Sequence, residues 1–267
     1  MSDAHLESLL DRPVAELDPE AAAAVAAGPI DPSLALGRDD LDRLCDPAPL
    51  PAETGWCTLP DGIGYVAART AMPGVTGEMV DWWFDWHPRE PIRYRVWHPL
   101  AHVSNSLDPA RPGPKPPKLP KPHWGATHHP VEDVGVGVAH ARISFLRPTE
   151  IGFSTDALDD PRVATIVGGH VGDDRRRSRH SLMVHVFLVE DDGVVLRSRF
   201  WFGALMRPYL PAPLAGAVEP LLNTPFARRR LLPADLPRAV ANHCIEEYAN
   251  LAELLPDLYE RYGRPGP

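Results

Sequence analysis

His243 and Glu247 are two side chains whose types and spacing suit the binding of one metal ion. They lie four residues apart in the segment L-P-R-A-V-A-N-H-C-I-E-E-Y, residues 236–248. The segment has the pattern of a helix, in which residues i and i+4 are neighbours on one face, with Cβ atoms about 5–6 Å apart. An imidazole nitrogen and a carboxylate oxygen at these positions can therefore coordinate the same ion.

The apolar residues of the same segment indicate that this pair faces the protein interior. Val240, Cys244 and Leu251 recur at helical spacing, and the pair falls within their stripe rather than opposite it. A charged carboxylate is rarely buried without a partner, and a metal ion is one such partner. A simple hydrogen bond within the pair is the alternative, and the adjacent Glu246 is the other carboxylate that could point inward.

The remaining ligands must come from elsewhere in the chain, because a catalytic site needs more donors and an open position for water or substrate. His98 and His102 compete as ligands in the segment R-Y-R-V-W-H-P-L-A-H-V-S-N. Glu132 is the strongest acidic candidate, and Pro130 argues against a helical pairing of this carboxylate with His128. Two histidines and two carboxylates suit zinc, although the same ligand types also admit Mn²⁺ or Fe²⁺.

Four separated motifs follow one another in a fixed order along most of the chain. They are W-W-F-D-W-H-P at residues 82–88, R-Y-x-x-W-H-P-x-x-H-x-x-N at 93–105, V-E at 131–132 and H-x-x-x-E at 243–247. In this order they resemble the 2,4-diacetylphloroglucinol hydrolase family, which includes phloretin hydrolase. Members of that family cleave a carbon–carbon bond between an aromatic ring and an acyl group. The family fold is a helix-grip domain preceded by a small helical domain that contributes to dimer contacts.

The resemblance implies roles for seven residues of this chain and one Zn²⁺ per chain. By position, these are the zinc ligands His102, Glu132, His243 and Glu247, the substrate-orienting residues Tyr94 and Asn105, and the acid–base residue His185. The family also uses a tyrosine in the strand that here reads S-R-F-W-F, residues 198–202, and this chain has no tyrosine there. One hydrogen bond to the substrate is therefore expected to be missing or replaced.

The reaction implied by the resemblance is hydrolysis of the bond between an acyl group and a phloroglucinol-type ring in a phenolic ketone. The metal would make water reactive near neutral pH, and that water would attack the acyl carbonyl. His185 would shuttle a proton to the ring carbon, a task that suits an unperturbed pKa of about 6.5. The residues alone leave His185 open, because a histidine alternating with apolar residues along a strand is either a core residue or a pocket residue.

The elements that must position these residues follow an α+β pattern. Strands are predicted at residues 63–71, 137–146, 151–154, 164–171, 181–189 and 194–202. Asp191-Asp192-Gly193 is a hairpin signal between the last two strands. Consecutive strands without intervening helices favour an antiparallel sheet, and the chain has no G-x-G-x-x-G or P-loop pattern that would favour a nucleotide-binding fold.

Helices are predicted at residues 76–86, 213–222 and 225–230, followed by a long C-terminal helix. The long helix should begin near Asp235 as its N-cap, and Pro256 should kink it or end its main part. A sheet followed by one long helix predicts a helix-grip (Bet v 1-like) architecture over residues 58–267, with a cavity between the two. Residues 1–57, with their capped helical segments, predict a small helical N-terminal domain suited to docking or dimerisation.

Composition limits the partners of the chain. The net charge of −9 argues against nucleic acid, because phosphate binding requires a basic surface. Three cysteines without a C-x-x-C pair argue against a disulfide framework. The amino terminus lacks the features of a signal peptide, and no apolar stretch is long enough to span a membrane. A cytoplasmic protein with no membrane partner is the resulting expectation. The N-terminal segment adds the expectation of a homodimer, and the family resemblance implies a small phenolic ketone as the substrate.

Two other classes of function and one segment remain open. A helix-grip cavity can hold a polyketide or lipid without catalysis, and the same ligand set can serve another metal-dependent hydrolase or an Fe²⁺ oxygenase. Half of residues 109–122 are proline, which predicts an extended, stiff segment. This segment is interpreted as a surface loop, a partner-binding tail or a lid beside the pocket.

Overall fold

The structure, a computed structural model, describes residues 3–108 and 120–263. The strands are β1 Gly55–Thr58, β2 Gly64–Pro73, β3 His102–Ser104, β4 Thr127–His128, β5 Val131–Asp133, β6 Val138–Phe145, β7 Val163–Asp173, β8 Ser178–Glu190 and β9 Gly193–Pro208. The α-helices are α1 Ala4–Leu10, α2 Pro19–Ala26, α3 Gly77–Trp86, α4 Pro91–Trp97, α5 Pro148–Ile151, α6 Thr155–Asp159, α7 Ala212–Leu222, α8 Pro225–Leu231 and α9 Leu236–Tyr262. Short 3₁₀ turns cover Pro32–Leu34, Arg38–Leu44 and His87–Arg89.

The strands form one antiparallel sheet that curls around α9. Their order is β1-β2-β9-β8-β7-β6-β5-β3, and β4 pairs with β6. The predicted hairpin is confirmed, because β8 ends at Glu190 and β9 starts at its partner Gly193. The helix-grip prediction is confirmed by this arrangement of a curled antiparallel sheet and one long final helix.

The inner face of the sheet packs against α9. Leu251, Leu255 and Leu258 of the helix lie in one apolar cluster with Val66 of β2 and Leu196 of β9, and all five are at most 1% exposed. Burial of each such side chain contributes about 1.5–3 kcal/mol to stability. This cluster fixes α9, and hence His243 and Glu247, against the sheet.

The outer face of the sheet is covered by the 3₁₀ segment near residue 40. Leu41 and Leu44 pack there with Tyr65 and Trp201, and the Trp201 Nε1–H group donates to the Leu36 carbonyl at 3.0 Å. The central strands are therefore buried on both faces, which makes the sheet a rigid support for the cavity on its inner side.

The helices α1 and α2 contribute to the same core as α9. Leu6 of α1 and Val25 of α2 are buried in the inner cluster, and β1 pairs with β2. The division into residues 1–57 and 58–267 stays a prediction. Residues 109–119 of the proline-rich segment lie outside the described residues. Within the two described ranges, no helix combines the length and apolar character needed to cross a membrane.

One strand prediction is wrong. Residues 151–154 do not form a strand, because Pro148 starts α5 and Gly152 ends it with φ of 125°. Ser154 then accepts a hydrogen bond from the Ala157 amide and caps α6. Proline at the first helical position and glycine just past the end are helix signals, and here they decide the local structure.

The predicted start of α9 is confirmed, with Asp235 at the N-cap position, although its side chain makes no capping hydrogen bond. The helix does not end at Pro256 but continues to Tyr262. The predicted helices at 76–86, 213–222 and 225–230 correspond to α3, α7 and α8. Helix α4, which carries Tyr94, was not expected from the sequence.

Candidate metal centre and active-site cavity

Helix α9 presents His243 and Glu247 toward the sheet, as their spacing predicts. His243 Nε2 lies 3.7 Å from Glu247 Oε2, and both residues are buried, whereas the adjacent Glu246 is exposed. Glu247 is therefore the carboxylate that points inward, which resolves the choice left open by the sequence.

His102 reaches this pair from the first position of β3, directly after the turn that follows α4. Its Nδ1 atom lies 3.0 Å from the Tyr94 carbonyl oxygen, so Nδ1–H donates there and the Nε2 lone pair faces the cluster. His102 Nε2 lies 3.4 Å from His243 Nε2 and 3.6 Å from Glu247 Oε2. A hydrogen bond from one ring nitrogen that orients the other toward a metal is the usual support of a histidine ligand.

His98, the competing histidine, has another partner. Its Nε2 atom lies 3.2 Å from Glu246 Oε2, and its ring stacks on that of His243 with centroids 5.1 Å apart. His98 thus supports His243 from the side, while His102 presents its own nitrogen to the cluster.

Glu132 joins the cluster through the pairing of β3 with β5. His102 and Glu132 are direct partners in this pairing, and Glu132 Oε2 lies 3.7 Å from His102 Nε2. The Tyr94 hydroxyl donates a hydrogen bond to Glu132 Oε2. The Tyr94 ring also stacks on His102, with centroids 3.9 Å apart and planes 4° from parallel.

The four predicted ligands therefore form one cluster whose composition fits a divalent cation. Ligand atoms of His102, Glu132 and His243 all lie within 4.8 Å of one another. Burial, and then the charge of Glu132, raise the pKa of Glu247 well above its usual range. Burial lowers the pKa of His243 to about 3, so this imidazole is neutral and offers a lone pair. A cation would offset the charges of the buried Glu247 and the partly buried Glu132 carboxylates, and two nitrogen and two oxygen donors suit zinc.

A cavity of about 520 Å³ opens beside this cluster, between α9 and the inner face of the sheet. Its wall includes Tyr94, Glu132, His243 and Glu247. A volume of this size is typical of a small-molecule site, in which apolar walls hold the ligand and a few polar groups orient it. The cavity is therefore the place where a substrate would meet the cluster.

His185 lies in the wall of this cavity. Of the two alternatives that the sequence left open, a core residue or a pocket residue, it is therefore the pocket residue. It is 2% exposed, and its Nδ1 atom lies 2.8 Å from the Ser198 hydroxyl oxygen. Burial lowers the pKa of His185 from the value near 6.5 expected for a proton shuttle to about 3. The imidazole is therefore neutral at ordinary pH, and a proton that it takes up is readily passed on. With Nδ1 held by Ser198, Nε2 is the nitrogen left for chemistry.

Asn105 also lines the cavity, and a histidine absent from the predicted site holds its amide in place. Asn105 Nδ2 lies 3.2 Å from His87 Nε2, and its Oδ1 atom accepts from the Ser106 amide at 2.8 Å. His87 Nδ1 donates to the Trp83 carbonyl at 2.7 Å, which leaves its Nε2 lone pair for Asn105. The only sequence signal for His87 was its place in the W-W-F-D-W-H-P motif.

A family model described as the DAPG hydrolase PhiG domain matches residues 36–260. The chain belongs to the DAPG hydrolase family. It is 34% identical over 231 residues to 2,4-diacetylphloroglucinol hydrolase of Pseudomonas protegens, covering 85% of this chain and 74% of that protein. It is 31% identical over 258 residues to phloretin hydrolase of Eubacterium ramulus, covering 93% of this chain and 87% of that protein. The resemblance drawn from the four motifs is thereby confirmed.

Solved structures similar to this DAPG hydrolase family member have low sequence identity to it. Ara h 8.0201 matches with a TM-score of 0.41 and 9% identity, covering 73% of this chain and 99% of that chain. The Zhui aromatase/cyclase of a Streptomyces species matches with a TM-score of 0.40 and 12% identity, covering 76% of this chain and 99% of that chain.

The strand segment at residues 198–202, where the resemblance places a family tyrosine that this chain lacks, presents phenylalanines to the cavity. The rings of Phe200 and Phe202 stack there with centroids 5.8 Å apart. A phenol lies nearby on α9, because the ring of Tyr248 is 5.0 Å from that of His185 and also lines the cavity. Sequence reasoning missed Tyr248, whose only signal was its spacing of four residues from Cys244 in the apolar stripe.

Proposed function

We propose that this DAPG hydrolase family member is a zinc-dependent hydrolase that cleaves the carbon–carbon bond between an acyl group and a phloroglucinol-type ring. The observation that carries the proposal is the cluster of His102, Glu132, His243 and Glu247 at the wall of a cavity that also contains His185. The names of the two relatives supply the substrate class. Zinc as the metal, a homodimeric state and a cytoplasmic location are parts of the same proposal.

The cluster suits hydrolysis because its ligands are held before substrate arrives. Zinc bound there would polarise the acyl carbonyl and make water acidic enough to attack it near neutral pH. The Tyr94 carbonyl orients His102, and the Tyr94 hydroxyl orients Glu132. Such outer contacts fix ligand geometry, so little reorganisation is needed during the reaction.

His185 supplies the proton transfer that carbon–carbon cleavage requires. Addition of water to the acyl carbon forms a carbon–oxygen bond, and departure of the ring leaves an electron pair on the ring carbon. In our proposal, His185 Nε2 takes up the proton released by the water and delivers it to that carbon, giving a carboxylic acid and the deacylated ring. Hydroxyl groups ortho and para to the carbon assist, because the ring can pass through a keto tautomer.

The cavity walls support a flat phenolic ring as the leaving group. Phe145, Met183 and Phe200 line the cavity and offer apolar surface to the ring faces. The Asn105 amide, held by His87, offers a fixed polar contact for a phenolic or carbonyl oxygen. Apolar walls with a small number of oriented polar groups bind such a ring in one orientation, which the proton transfer needs.

The test compares the wild type with two variants for metal content and for cleavage of 2,4-diacetylphloroglucinol and phloretin. We expect about one zinc per chain in the wild type, as for a three- or four-ligand catalytic site. His243→Ala should lose metal and activity together. His185→Ala should keep its metal and lose about 10²–10⁴-fold in kcat. His5→Ala, on α1 outside the cavity, is the control and should match the wild type.

Full activity in either cavity variant would overturn the assignment of that residue. A wild type that neither contains nor rebinds metal, and that binds apolar ligands without cleaving them, would identify the protein as a non-catalytic binding protein. Cleavage that requires O₂ would identify an oxygenase instead of a hydrolase.

A further inference from the structure

His128 is a buried cavity residue to which neither the metal cluster nor the proton transfer assigns a role. It is 2% exposed and lines the cavity. Among the described residues, neither of its ring nitrogens has a hydrogen-bond partner, and Nε2 is completely buried. Buried polar atoms are nearly always paired with protein, water or ligand. A histidine that the protein leaves without a partner in a cavity wall is therefore suited to bind something within the cavity.

The surrounding structure holds His128 rigidly. Its backbone pairs with Ile143 of β6 on one side and with Leu107 on the other. Its ring meets the Phe145 ring edge-on, with centroids 4.6 Å apart. The side chain is therefore fixed by packing rather than by hydrogen bonds. Because Nε2 is completely buried, Nδ1 is the nitrogen left for a ligand in the cavity, and a fixed ring can bind it at little entropic cost.

The location of His128 relative to the metal cluster indicates which part of a substrate it would meet. The His87 ring lies 5.4 Å from that of His128 and 5.8 Å from that of Tyr94, and Tyr94 stacks on the ligand His102. Two aromatic side chains thus separate His128 from the cluster. A substrate whose acyl carbonyl lies at the cluster would extend its aromatic ring along this wall, toward His128.

We propose that His128 forms a hydrogen bond with a hydroxyl group of the substrate ring and so selects for the hydroxylation pattern of that ring. The inference rests on the proposed function, because it assumes an acyl–aromatic substrate in this cavity. Burial lowers the pKa of His128 well below its usual range, which keeps the imidazole neutral with one donor and one acceptor. A phenolic hydroxyl both donates and accepts, so it matches either tautomer.

Selection follows from the cost of leaving His128 Nδ1 unpaired when the substrate lacks that hydroxyl. A site built to bond a substrate hydroxyl discriminates strongly against an analogue that lacks it, because the buried polar group then has no partner. An apolar wall at the same position could not discriminate in this way. The substrate class is thus narrowed to acyl ketones that carry a hydroxyl on the part of the ring facing His128.

The test uses His128→Phe, which keeps a ring against Phe145 and removes both nitrogens. Three methyl ketones serve as substrates: one with a trihydroxyphenyl ring, one lacking an ortho hydroxyl and one lacking the para hydroxyl. We expect kcat/KM for the trihydroxy ketone to fall about 10–100-fold, with little change for the one analogue that lacks the contacted hydroxyl. Metal content and circular dichroism should match the wild type.

Two amide variants identify the nitrogen, and a neighbouring histidine provides the control. His128→Asn and His128→Gln place an amide near the positions of Nδ1 and Nε2, and recovery of selectivity in one of them assigns the contact. His129→Phe is the matched control, because the His129 ring pairs with Asp108 and Asp174 outside the cavity. It should leave the ratios of kcat/KM between substrates unchanged.

An equal loss on all three ketones would overturn the proposal and make His128 a structural residue. No loss on any of them would also overturn it, with water as the partner of His128. Calorimetric binding of the ring products phloroglucinol and resorcinol separates this inference from the proposed function. A wild-type preference for phloroglucinol that His128→Phe abolishes supports the contact even if no ketone is cleaved, and an unchanged preference refutes it.

Discussion

Tyr94 contacts two of the four candidate ligands, and it shows how one residue can determine the geometry of a metal site. Its carbonyl accepts from His102 Nδ1–H, its ring stacks on His102, and its hydroxyl donates to Glu132. The family resemblance assigned Tyr94 to substrate orientation, which stays a prediction. The hydroxyl contact with Glu132 also orients one of the candidate metal ligands.

Replacing Tyr94 with phenylalanine separates these roles. Tyr94→Phe keeps the carbonyl and the stacking but removes the hydroxyl, so Glu132 loses its orienting donor. Loss of such a contact typically weakens metal affinity about 10–100-fold. Zinc titration against a competing chelator measures the change, and Tyr209→Phe, at an exposed position just after β9, serves as the control. Unchanged affinity with a large loss of rate would show that the hydroxyl acts on substrate instead.

At the scale of single residues, the sequence predicted part of the candidate site. The helical spacing of His243 and Glu247 was sufficient, because a regular helix converts sequence distance into spatial distance. The choice between His98 and His102 needed the structure, since the chain turns between them, from the end of α4 into β3. The orienting role of His87 and the unpaired nitrogens of His128 depend on contacts between segments distant in sequence, which no local pattern encodes.

Hydrogen bonds join α4 to α9. Helix α4 carries Tyr94, which contacts the candidate ligands His102 and Glu132, and α9 carries His243 and Glu247. The Trp97 Nε1–H group donates to the Glu247 carbonyl at 2.9 Å. Asn250 Nδ2 donates to the Trp97 carbonyl at 2.7 Å, and Asn250 Oδ1 accepts from the Ala15 amide at 3.2 Å. Asn250 is 3% exposed, so its loss would leave these backbone groups unpaired in the interior.

Asn250→Ala should therefore destabilise the protein by about 1–3 kcal/mol, the usual cost of unpaired buried polar groups. Urea unfolding measures the difference. Asn242→Ala, on the exposed face of the same helix, is the matched control and should change stability by less than about 0.5 kcal/mol. Equal effects from the two variants would mean that the link between α4 and α9 contributes nothing to stability.

The element predictions succeeded where patterns are long and failed where they are short. Strands β7, β8 and β9 follow long apolar runs, and the hairpin at Asp191–Asp192 has a clear turn signal. Strands β3 and β5 have three residues each, too few for a periodic pattern, yet their pairing places Glu132 beside His102. The segment 151–154 was misread because the turn chemistry of Pro148 and Gly152 outweighs the apolar character of Ile151 and Phe153.

Buried histidines outside the metal cluster make the stability of the whole molecule depend on pH. Burial lowers the pKa of His87 and His185 to about 3 and that of His123 to about 4. In an unfolded chain these groups titrate near 6.5. The unfolded state therefore binds more protons between about pH 4 and 6.5, so this contribution to stability is complete above 6.5 and is lost as the pH falls.

The carboxylates of the metal cluster act in the opposite direction in metal-free protein. Burial raises the pKa of Glu132 and Glu247, so the folded state binds protons more readily there and gains relative stability as the pH falls. The pH dependence of the unfolding free energy is therefore the sum of a histidine contribution and a carboxylate contribution of opposite sign. A variant that removes a single histidine therefore isolates one contribution more clearly than a pH scan of the wild type.

His123 is the histidine best suited to this measurement. Its ring packs beside Phe84 and Phe145, and its Nδ1 atom lies 4.0 Å from Asp81 Oδ1. His123→Phe keeps a ring in this position and removes the titrating group.

Between pH 7.5 and 5.5, the wild type should lose about 1.3 kcal/mol more unfolding free energy than the variant, because only the wild type gains a proton at His123 on unfolding. Urea unfolding of both metal-free proteins at the two pH values measures this difference. Parallel curves would mean that His123 is protonated equally in the folded and unfolded chains, and that its burial has no effect on the acid stability of the molecule.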